Sequence, residues 1–348
     1  MKKINVAICS FGMSGKLFHA PFIDVHPGFE IYAVWERSKK EAKEIYPAVL
    51  SCNNLNDLLQ DDAIELIVVN TPNATHYDFT KRALLAGKHV IVEKPFTVTL
   101  QEAEELVELA GKVQRKLSVY HNRRWDSDFK TVKKVLASGV LGNIVDVEFH
   151  FDRYKKDLSP KVHKEFAAPG AGVLHDLGSH LIDSALQLFG NPSAVFGDLR
   201  KVRPVTQIDD HMDVILFYPQ MRIRLKSGYL AKEPVPSFII HGVNGSFLKP
   251  RTDIQELELQ QGKIPGGAGW GKEPDEEKGL LHYEMQDGKV FKEKIGSESG
   301  NYMEYYNGIY NAIVDDAPLP VTANEGLWVM KIIDAVLESN RQKKIIEL

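Results

Sequence analysis

The chain has 348 residues, of which 43% are hydrophobic and 26% are charged, and its formal net charge is −4. Its length favours two domains, and its composition is that of an ordinary globular protein. The charge balance gives no sign of a nucleic-acid partner, and no apolar stretch approaches the roughly 20 residues that span a membrane. Because the two cysteines form no Cys-x-x-Cys motif, we expect a reducing compartment and a cytoplasmic location.

The first third of the chain alternates short apolar runs with helix-like segments. The runs are bounded by turn signals, as buried parallel strands are. The predicted strands are Ile4–Cys9, Phe29–Trp35, Glu65–Asn70, His89–Glu93 and Leu117–Tyr120. We also predict a helix over Thr75–Ala86 that ends at Gly87, and a second helix that begins at the capping box Thr99–Glu102. This alternation predicts an α/β domain with a doubly wound parallel sheet over residues 1–120.

Strands dominate the sequence after Tyr120. The predicted helices are Asp128–Ser138, Gly178–Phe189 and a last one that runs from the capping box Thr322–Glu325 to Asn340. The predicted strands are Ile144–Phe151, Ala194–Val202, Met212–Phe217, Met221–Tyr229, Ser237–His241 and Ser246–Leu248. Asn244–Gly245 and Asp287–Gly288 are typical of hairpin turns, while residues 262–279 predict no regular structure. Strands in succession predict an α+β domain with a mainly antiparallel sheet over residues 121–348.

A glycine turn follows the first predicted strand, where the fingerprint Gly-x-Gly-x-x-Gly binds a dinucleotide. Gly12 lets the backbone approach the pyrophosphate, and Gly15 allows the next helix to pack closely on the strand. Ser10 replaces the first glycine, which weakens the motif. We assign the whole turn to cofactor binding: Ser10, Phe11, Gly12, Met13, Ser14 and Gly15.

The end of the second strand carries conflicting signals about the cofactor. Glu36 stands where an acidic residue binds the ribose hydroxyls, and this favours NAD because a carboxylate repels a 2′-phosphate. Arg37, Ser38 and two lysines follow it and favour NADP, because they can hold that phosphate. The lysines can equally begin the next helix on its solvated face. The sequence therefore predicts NAD or NADP without a preference.

Two further strand ends carry polar side chains. The turn Thr71–Pro72–Asn73 would present polar groups to the cofactor, and we include His76 with it, although a histidine at a helix start is more often structural. Glu93 and Lys94 end a buried strand, at the edge where open α/β sheets bind their ligands, and we assign both to cofactor binding. Pro95 has no N–H and a fixed φ, so it ends the strand. The alternative is a surface Glu–Lys pair.

The second domain contains one candidate pair, Asp176 and His180. Four residues apart on a helix, the two side chains lie on one face, within reach of each other and of a ligand. The glycines at 170 and 172 allow close approach to a bound molecule. Alternatively, Asp176 is a helix cap and His180 is a core histidine. No third ligand stands at a recognisable spacing, so we predict no metal site.

These motifs together resemble the glucose–fructose oxidoreductase/inositol dehydrogenase family, Gfo/Idh/MocA. The resemblance covers nearly the whole chain and rests on the glycine turn, Thr71–Pro72–Asn73 with His76, Glu93–Lys94–Pro95, and Asp176-x-Gly178-x-His180. The segments 18–22 and 120–126 are similar to the branch that contains NADP-dependent scyllo-inositol dehydrogenases. Ser10 and Glu36 depart from the pattern and leave the choice of cofactor open.

The resemblance implies a Rossmann domain, a second domain built on an open and mainly antiparallel sheet, a cis peptide before Pro95, and a homodimer or homotetramer. It implies an NAD(P)-dependent dehydrogenase that moves a hydride between nicotinamide and a secondary alcohol of a sugar or of a cyclic polyol such as an inositol. A non-catalytic dinucleotide-binding sensor of the same fold is the alternative. A third option is chemistry in which the cofactor is reduced only transiently.

The resemblance also implies roles for individual residues. His180 would be the general acid/base, because an imidazole titrates near neutral pH. Lys94 would hold the reacting oxygen and stabilise negative charge. Asp176 would orient the substrate hydroxyl or His180, and Asn122 could touch the nicotinamide or the substrate. Two further residues, for which a structural role is the better expectation, could line the substrate pocket: Arg153 and Tyr154.

Overall fold

The computed structural model describes residues 2–36, 40–159 and 165–348. The chain divides into two compact units. Unit 1 contains residues 1–122, 255–270 and 301–327, and unit 2 contains residues 123–254, 271–300 and 328–348. The predicted domain ranges, 1–120 and 121–348, stay a prediction.

The helices and strands follow one another along the chain as an alternating set and then a strand-rich set. The helices are α1 (Ala20–Val25), α2 (Glu41–Ile45), α3 (Leu55–Leu59), α4 (His76–Leu85), α5 (Leu100–Lys112), α6 (Ser127–Ser138), α7 (Ser179–Phe189), α8 (Gln255–Gln260), α9 (Met303–Val314) and α10 (Ala323–Gln342). The first strands are β1 (Ile4–Ile8), β2 (Phe29–Trp35), β3 (Leu50–Cys52), β4 (Leu66–Val69), β5 (His89–Val92) and β6 (Leu117–Val119). The later strands are β7 (Ile144–His150), β8 (Ala194–Arg200), β9 (His211–Phe217), β10 (Arg222–Gly228), β11 (Phe238–Gly242), β12 (Gly245–Lys249), β13 (Gly279–Glu284), β14 (Val290–Ile295) and β15 (Ile346–Glu347). None of the helices in the described part of the chain has the length and apolar character to cross a membrane.

Unit 1 is built on a parallel sheet. Within the described residues this sheet has six strands in the order β3-β2-β1-β4-β5-β6, and each neighbouring pair is parallel. This order is that of a Rossmann fold. Every residue of β4 is buried, because a parallel strand at the centre is covered on both faces. The predicted doubly wound parallel sheet is therefore confirmed.

Local signals set the ends of several helices as predicted. At the start of α5 the Thr99 hydroxyl accepts a hydrogen bond from the Glu102 backbone N–H at 3.2 Å, and the Glu102 carboxylate accepts one from the Thr99 N–H at 3.1 Å. Thr322 and Glu325 make the same exchange before α10, at 3.2 and 2.7 Å. Gly87 follows α4 with φ +75°, a left-handed conformation that favours glycine. Both capping boxes and the glycine stop are confirmed.

Unit 2 is built on a mixed sheet. Within the described residues it has nine strands in the order β14-β13-β12-β11-β7-β10-β9-β8-β15. Only the pair β7 and β10 is parallel among these strands. Buried residues alternate with more exposed ones along β9, as in an antiparallel strand with one covered face. The predicted α+β architecture with a mainly antiparallel sheet is confirmed.

Several elements were not predicted from the sequence. They are β3, β13, β14, β15, α8 and α9. Almost every residue of β14 is exposed, so this strand has no apolar alternation and exists because it pairs with β13. Helix α9 carries aromatic and β-branched residues of low helix propensity. It is stabilised by burial of Tyr305, Tyr306 and Ile309.

Candidate active site

The glycine turn lies in unit 1 between β1 and a π-helical turn over Gly15–His19. The Ser10 hydroxyl accepts a hydrogen bond from the Gly12 N–H at 3.4 Å, and its carbonyl accepts one from Asn70 Nδ2 at 2.8 Å. A Cβ on Gly15 would lie 2.2 Å from the Ser10 carbonyl oxygen, so only glycine fits there. The serine thus closes the turn with its own hydroxyl, in place of the usual first glycine.

The open side of this turn fits a dinucleotide. A Cβ on Gly12 would meet only the Ser10 hydroxyl, at 3.7 Å, so the backbone there is accessible to a phosphate group. The side-chain oxygen of Asn70 is buried beside the turn and has no hydrogen-bond partner among the described residues. Of the other turn residues, Phe11 is buried with its ring edge-on to Tyr46 at 6.2 Å, and Met13 is 53% exposed. Their contact with the cofactor stays a prediction.

The Glu36 carboxylate is held at the start of α2. Its two oxygens accept hydrogen bonds from the backbone N–H groups of Glu41 at 3.2 Å and Ala42 at 3.1 Å. These are N–H groups that a helix leaves unpaired at its first turn. The carboxylate is therefore engaged within the protein, and its contact with the ribose stays a prediction. Arg37, the basic residue assigned to the same site, lies outside the described residues.

The loop after β4 is tied to the end of β5 by His76. The imidazole is fully buried, and its nitrogens lie 2.9 Å from the Thr71 carbonyl oxygen and 2.8 Å from the Pro95 carbonyl oxygen. Burial lowers the pKa of His76. Within the loop, the hydroxyls of Thr71 and Thr75 are 2.6 Å apart, and the Pro72 carbonyl accepts from the Thr75 N–H at 2.8 Å. This geometry assigns His76 a structural contact, while cofactor contacts of Thr71, Pro72, Asn73 and His76 stay predictions.

Lys94 stands at the carboxyl end of β5 with a partly exposed side chain. The peptide between Lys94 and Pro95 is cis, as the family resemblance implied. The preceding carboxylate, Glu93, accepts hydrogen bonds from the Ser14 hydroxyl, from His19 Nε2 at 3.1 Å and from the Lys94 N–H at 3.2 Å. One carboxylate thus joins the glycine turn to the backbone of the candidate catalytic lysine.

The ionisation of Glu93 follows from these contacts. Burial by itself raises the pKa of the carboxyl, but the hydrogen bonds and the charge of His19, with the Ser14 hydroxyl and Lys94, lower it from 4.5 to about 2. A carboxylate that accepts several hydrogen bonds is stabilised in its charged form. Glu93 is therefore an anion throughout the physiological pH range.

The second candidate pair lies in unit 2, where a π-helical turn over Leu174–Gly178 leads into α7. Asp176 belongs to the turn and is partly exposed, whereas His180 belongs to the first turn of α7 and is 7% exposed. Gly172 has φ +94°, and a Cβ there would lie 3.1 Å from the Asp209 carbonyl oxygen. Because Gly172 has no Cβ, its loop can lie close to the backbone of Asp209.

Three guanidinium groups surround one phenyl ring near His180. The His180 and Phe151 rings have centroids 6.3 Å apart. The carbons at the centre of the Arg123, Arg153 and Arg251 guanidiniums lie 5.3, 5.2 and 4.1 Å from the Phe151 centroid. Phe151 thus links the candidate histidine to a cationic region of unit 2, and Arg153 belongs to that region.

Tyr154, the other residue assigned to the substrate, forms an isolated bridge with Leu230 and is 53% exposed. Asn122, assigned to the nicotinamide or the substrate, is the last residue of this segment in unit 1. It is 6% exposed and begins a short 3₁₀ turn, Asn122–Trp125. Its contact with a ligand stays a prediction, as does that of Tyr154.

A buried ion pair anchors α7. Arg124 Nε lies 2.9 Å from one oxygen of Asp183, and Arg124 Nη2 lies 2.6 Å from the other. The two side chains are 7% and 5% exposed. A bidentate pair of this kind fixes orientation as well as adding energy. Because Asp183 is three residues after His180, the pair holds the helix that carries the candidate acid/base.

Sequence reasoning overlooked several of these residues. They are His19, Asn70, Arg123, Arg124 and Asp183, whose partners are distant in the sequence. For His19, Arg123 and Arg124 the signal was the similarity of segments 18–22 and 120–126 to one branch of a family, which assigns no contacts; Asn70 and Asp183 lie in neither segment. In the described residues, no group of three or more His, Cys, Asp or Glu side chains has a geometry that could hold a metal ion.

Comparison with protein-family models matches nearly the whole chain. Residues 4–121 match the model of the Gfo/Idh/MocA oxidoreductase family, NAD-binding Rossmann fold. Residues 133–348 match the model of the C-terminal alpha/beta domain of the same oxidoreductase family. The cofactor of unit 1 is thus a nicotinamide dinucleotide, NAD or NADP.

Individual proteins support the same assignment. The chain is 39% identical to the uncharacterized oxidoreductase YdgJ of Escherichia coli, over 98% of this chain and 97% of that protein. It is 38% identical to the scyllo-inositol 2-dehydrogenase (NADP(+)) IolW of Bacillus subtilis, over 99% and 96%. A solved putative oxidoreductase from Bacteroides fragilis has a TM-score of 0.91 and 44% identity, with complete coverage of both chains.

Proposed function

The chain belongs to the Gfo/Idh/MocA oxidoreductase family, and we propose that it is an NAD(P)-dependent dehydrogenase acting on a secondary alcohol of a sugar or a cyclic polyol. The observation that carries this proposal is the Glu93 carboxylate, which joins the glycine turn to the backbone of Lys94. A lysine held next to a dinucleotide-binding turn is suited to act on a hydroxyl group. The similarity to IolW, whose name states an inositol substrate and NADP, supports an inositol-like polyol.

The chain's own residues would hold the substrate and move one proton. The bound nicotinamide supplies the acceptor or donor of the hydride. The Lys94 ammonium would donate a hydrogen bond to the reacting oxygen and stabilise its developing negative charge. The His180 imidazole would take the hydroxyl proton during oxidation and return it during reduction. Asp176 would orient the substrate or His180, while Asn122, Arg153 and Tyr154 would contact substrate or nicotinamide.

The geometry of Glu36 supports the use of NADP as well as NAD. The sequence argument against NADP was repulsion between this carboxylate and a 2′-phosphate. Since both carboxylate oxygens accept hydrogen bonds from the first turn of α2, the negative charge is partly compensated there. We therefore keep both cofactors in the proposal.

The assembly and location in the cell also belong to this proposal. We expect a homodimer or homotetramer, which light scattering on the purified protein tests directly. Cys9 and Cys52 are both free, which is consistent with a reducing cytoplasm.

The decisive experiment is a reduction screen over inositols, sugars and sugar acids, run with NAD and with NADP separately. Steady formation of reduced cofactor with at least one polyol is the expected result. Net reduction also excludes chemistry in which the cofactor returns to its starting state. Binding of cofactor without turnover of any substrate would favour the sensor, whose cofactor fluorescence would change on addition of its ligand.

Two substitutions then test the assigned residues. Lys94→Ala and His180→Ala should each lower kcat by about 10²–10⁴-fold, the usual contribution of a positioned acid, base or charge stabiliser. Lys112→Ala is the control, because this lysine is exposed on α5 and pairs with Glu108. Near-normal turnover in either active-site variant would contradict the assignment.

A further inference from the structure

A three-way hydrogen-bond junction lies beneath the proposed cofactor site of unit 1. The Glu93 carboxylate receives the Ser14 hydroxyl from the glycine turn, His19 Nε2 from the following π-helical turn, and the Lys94 N–H from the end of β5. An ionised carboxylate only accepts hydrogen bonds, so Nε2 carries the hydrogen. The glycine turn, the π-helical turn and the end of β5 thus all contact one side chain, and the proposed chemistry depends on their relative positions.

Two tyrosines also hold the imidazole of His19 in place. Its side chain is fully buried, and Nδ1 lies 2.9 Å from the Tyr306 hydroxyl. The Tyr306 hydroxyl donates a hydrogen bond to the Phe18 carbonyl at 2.6 Å, and the Tyr120 hydroxyl donates to the same carbonyl at 2.9 Å. The Tyr120 ring packs on His19 with centroids 4.6 Å apart. The imidazole is therefore fixed in one orientation, with Nε2 directed at Glu93.

A contribution to core stability does not by itself explain why a carboxylate is buried at this position. Removing a carboxylate from water carries a penalty that an ion pair often fails to offset, and well-packed apolar side chains are commonly as stable. A buried carboxylate does, however, impose direction, because each of its donors must be aimed at an oxygen. At Glu93 the directed groups are the phosphate-binding turn and the lysine backbone.

We propose that His19 is a positioning residue, which acts through Glu93 to hold the Ser14 turn and Lys94 in the arrangement that the dinucleotide and the reacting hydroxyl require. The part that concerns Lys94 rests on the proposed function. The part that concerns the dinucleotide rests only on the NAD-binding domain. Without the imidazole, the carboxylate oxygen that also accepts from the Ser14 hydroxyl loses one of its two donors, so the contacts with Ser14 and with the Lys94 N–H can shift.

The test compares a variant that removes the donor with one that keeps it. His19→Leu fills the buried space with an apolar side chain that has no hydrogen-bond donor. His19→Gln keeps a donor, because its amide N–H can reach Glu93. Dissociation constants for NADH and NADPH are measured by nucleotide fluorescence without substrate. We expect His19→Leu to raise Kd roughly tenfold, equivalent to about 1.4 kcal/mol, and His19→Gln to restore most of the affinity. Tyr305→Phe is the control, because it removes an equally buried hydroxyl that bonds to Ser118 instead.

A double-mutant cycle separates positioning from a general loss of stability. Ser14→Ala removes one donor to Glu93 at a partly exposed site, and His19→Leu removes another. If His19 acts through Glu93, the effects of these two substitutions on Kd, measured below the melting temperature of each variant, are not additive. Additive effects, or an unchanged Kd in both His19 variants, would overturn the proposal.

Turnover supplies the second measurement once a substrate is known. We expect His19→Leu to lower kcat by roughly 10²-fold through misplacement of Lys94, with little change in the substrate KM. An unchanged kcat would overturn the part of the proposal that concerns Lys94. A wild-type protein that binds cofactor but oxidises no polyol would instead refute the proposed function, and the binding cycle would still decide the role of His19.

Discussion

The free energy of unfolding of Glu93→Gln, compared with that of the wild type at several pH values, should show how much the buried Glu93 anion stabilises the fold. The carboxyl has a pKa of about 2 in the folded protein against 4.5 as a free side chain. With about 1.4 kcal/mol per pKa unit, this difference corresponds to about 3 kcal/mol of stability at neutral pH. The side chain is 14% exposed, so solvent screens the interaction only weakly.

The sign follows from the lowered pKa. The folded protein keeps Glu93 ionised at pH values where the unfolded chain already binds a proton, so the stabilisation is complete above about pH 4.5 and is lost between about pH 4.5 and pH 2. Glu93→Gln should be less stable than the wild type near neutral pH. The difference should then narrow by up to about 1.4 kcal/mol per pH unit below about pH 4.5.

The assay is urea unfolding followed by tryptophan fluorescence, from about pH 7 to about pH 3.5, at constant ionic strength. Glu104→Gln, on the exposed side of α5, controls for loss of one negative charge. A stability difference between wild type and Glu93→Gln that stays constant over this range would refute the reasoning. It would mean that the carboxylate gains nothing from His19 and its other donors.

Three further predictions concern the turn, the buried ion pair and the cofactor choice. Gly12→Ala should leave the melting temperature unchanged but abolish cofactor binding. Gly15→Ala should lower both the melting temperature and the affinity for the cofactor, because a Cβ at position 15 would lie 2.2 Å from the Ser10 carbonyl oxygen. Equal effects of the two substitutions on the melting temperature would contradict this difference. Asp183→Asn removes the negative charge from the buried pair with Arg124 and should lower the free energy of unfolding in urea by about 3–5 kcal/mol; a loss below about 1 kcal/mol, typical of exposed pairs, would contradict it. Glu36→Gln should weaken the first turn of α2 by about 1 kcal/mol and, because the carboxylate charge is compensated there, leave the ratio of the Kd values for NAD and NADP unchanged; a marked shift towards NADP would contradict that compensation and support the predicted ribose contact.

Much of the fold was predictable because its signals are local. Parallel strands that are covered on both faces must be apolar along their whole length, and β1, β2, β4, β5 and β6 were predicted on this basis. Capping boxes depend on residues three positions apart, and both predicted boxes form. The hairpin turn at Asp287–Gly288 was also predicted, with Gly288 at φ +80°, although its strands were missed. The other predicted hairpin turn is shifted by one residue, since Gly245 begins β12.

The candidate site was predictable only in part. The turn at residues 10–15 and the lysine at the end of β5 lie where a parallel sheet presents its ligand-binding edge. Glu36 met the spacing rule for a ribose-binding acid, yet both of its oxygens bond to the start of α2. A spacing rule specifies where a residue stands along the chain and carries no information about the hydrogen-bond donors that the fold places nearby, so the contact of Glu36 with the ribose stays a prediction.

By itself, the sequence determined five parallel strands of unit 1 (β1, β2, β4, β5 and β6), the glycine turn and the family, because these depend on patterns over a few neighbouring residues. Only the tertiary structure decided that α9 and β14 form, since burial and strand pairing override weak local preferences. It also decided that Glu93 meets His19, 74 residues away, and that Arg124 meets Asp183, 59 residues away. Such contacts leave no local pattern, because the free energy of a buried hydrogen bond depends on which groups the folded chain brings together.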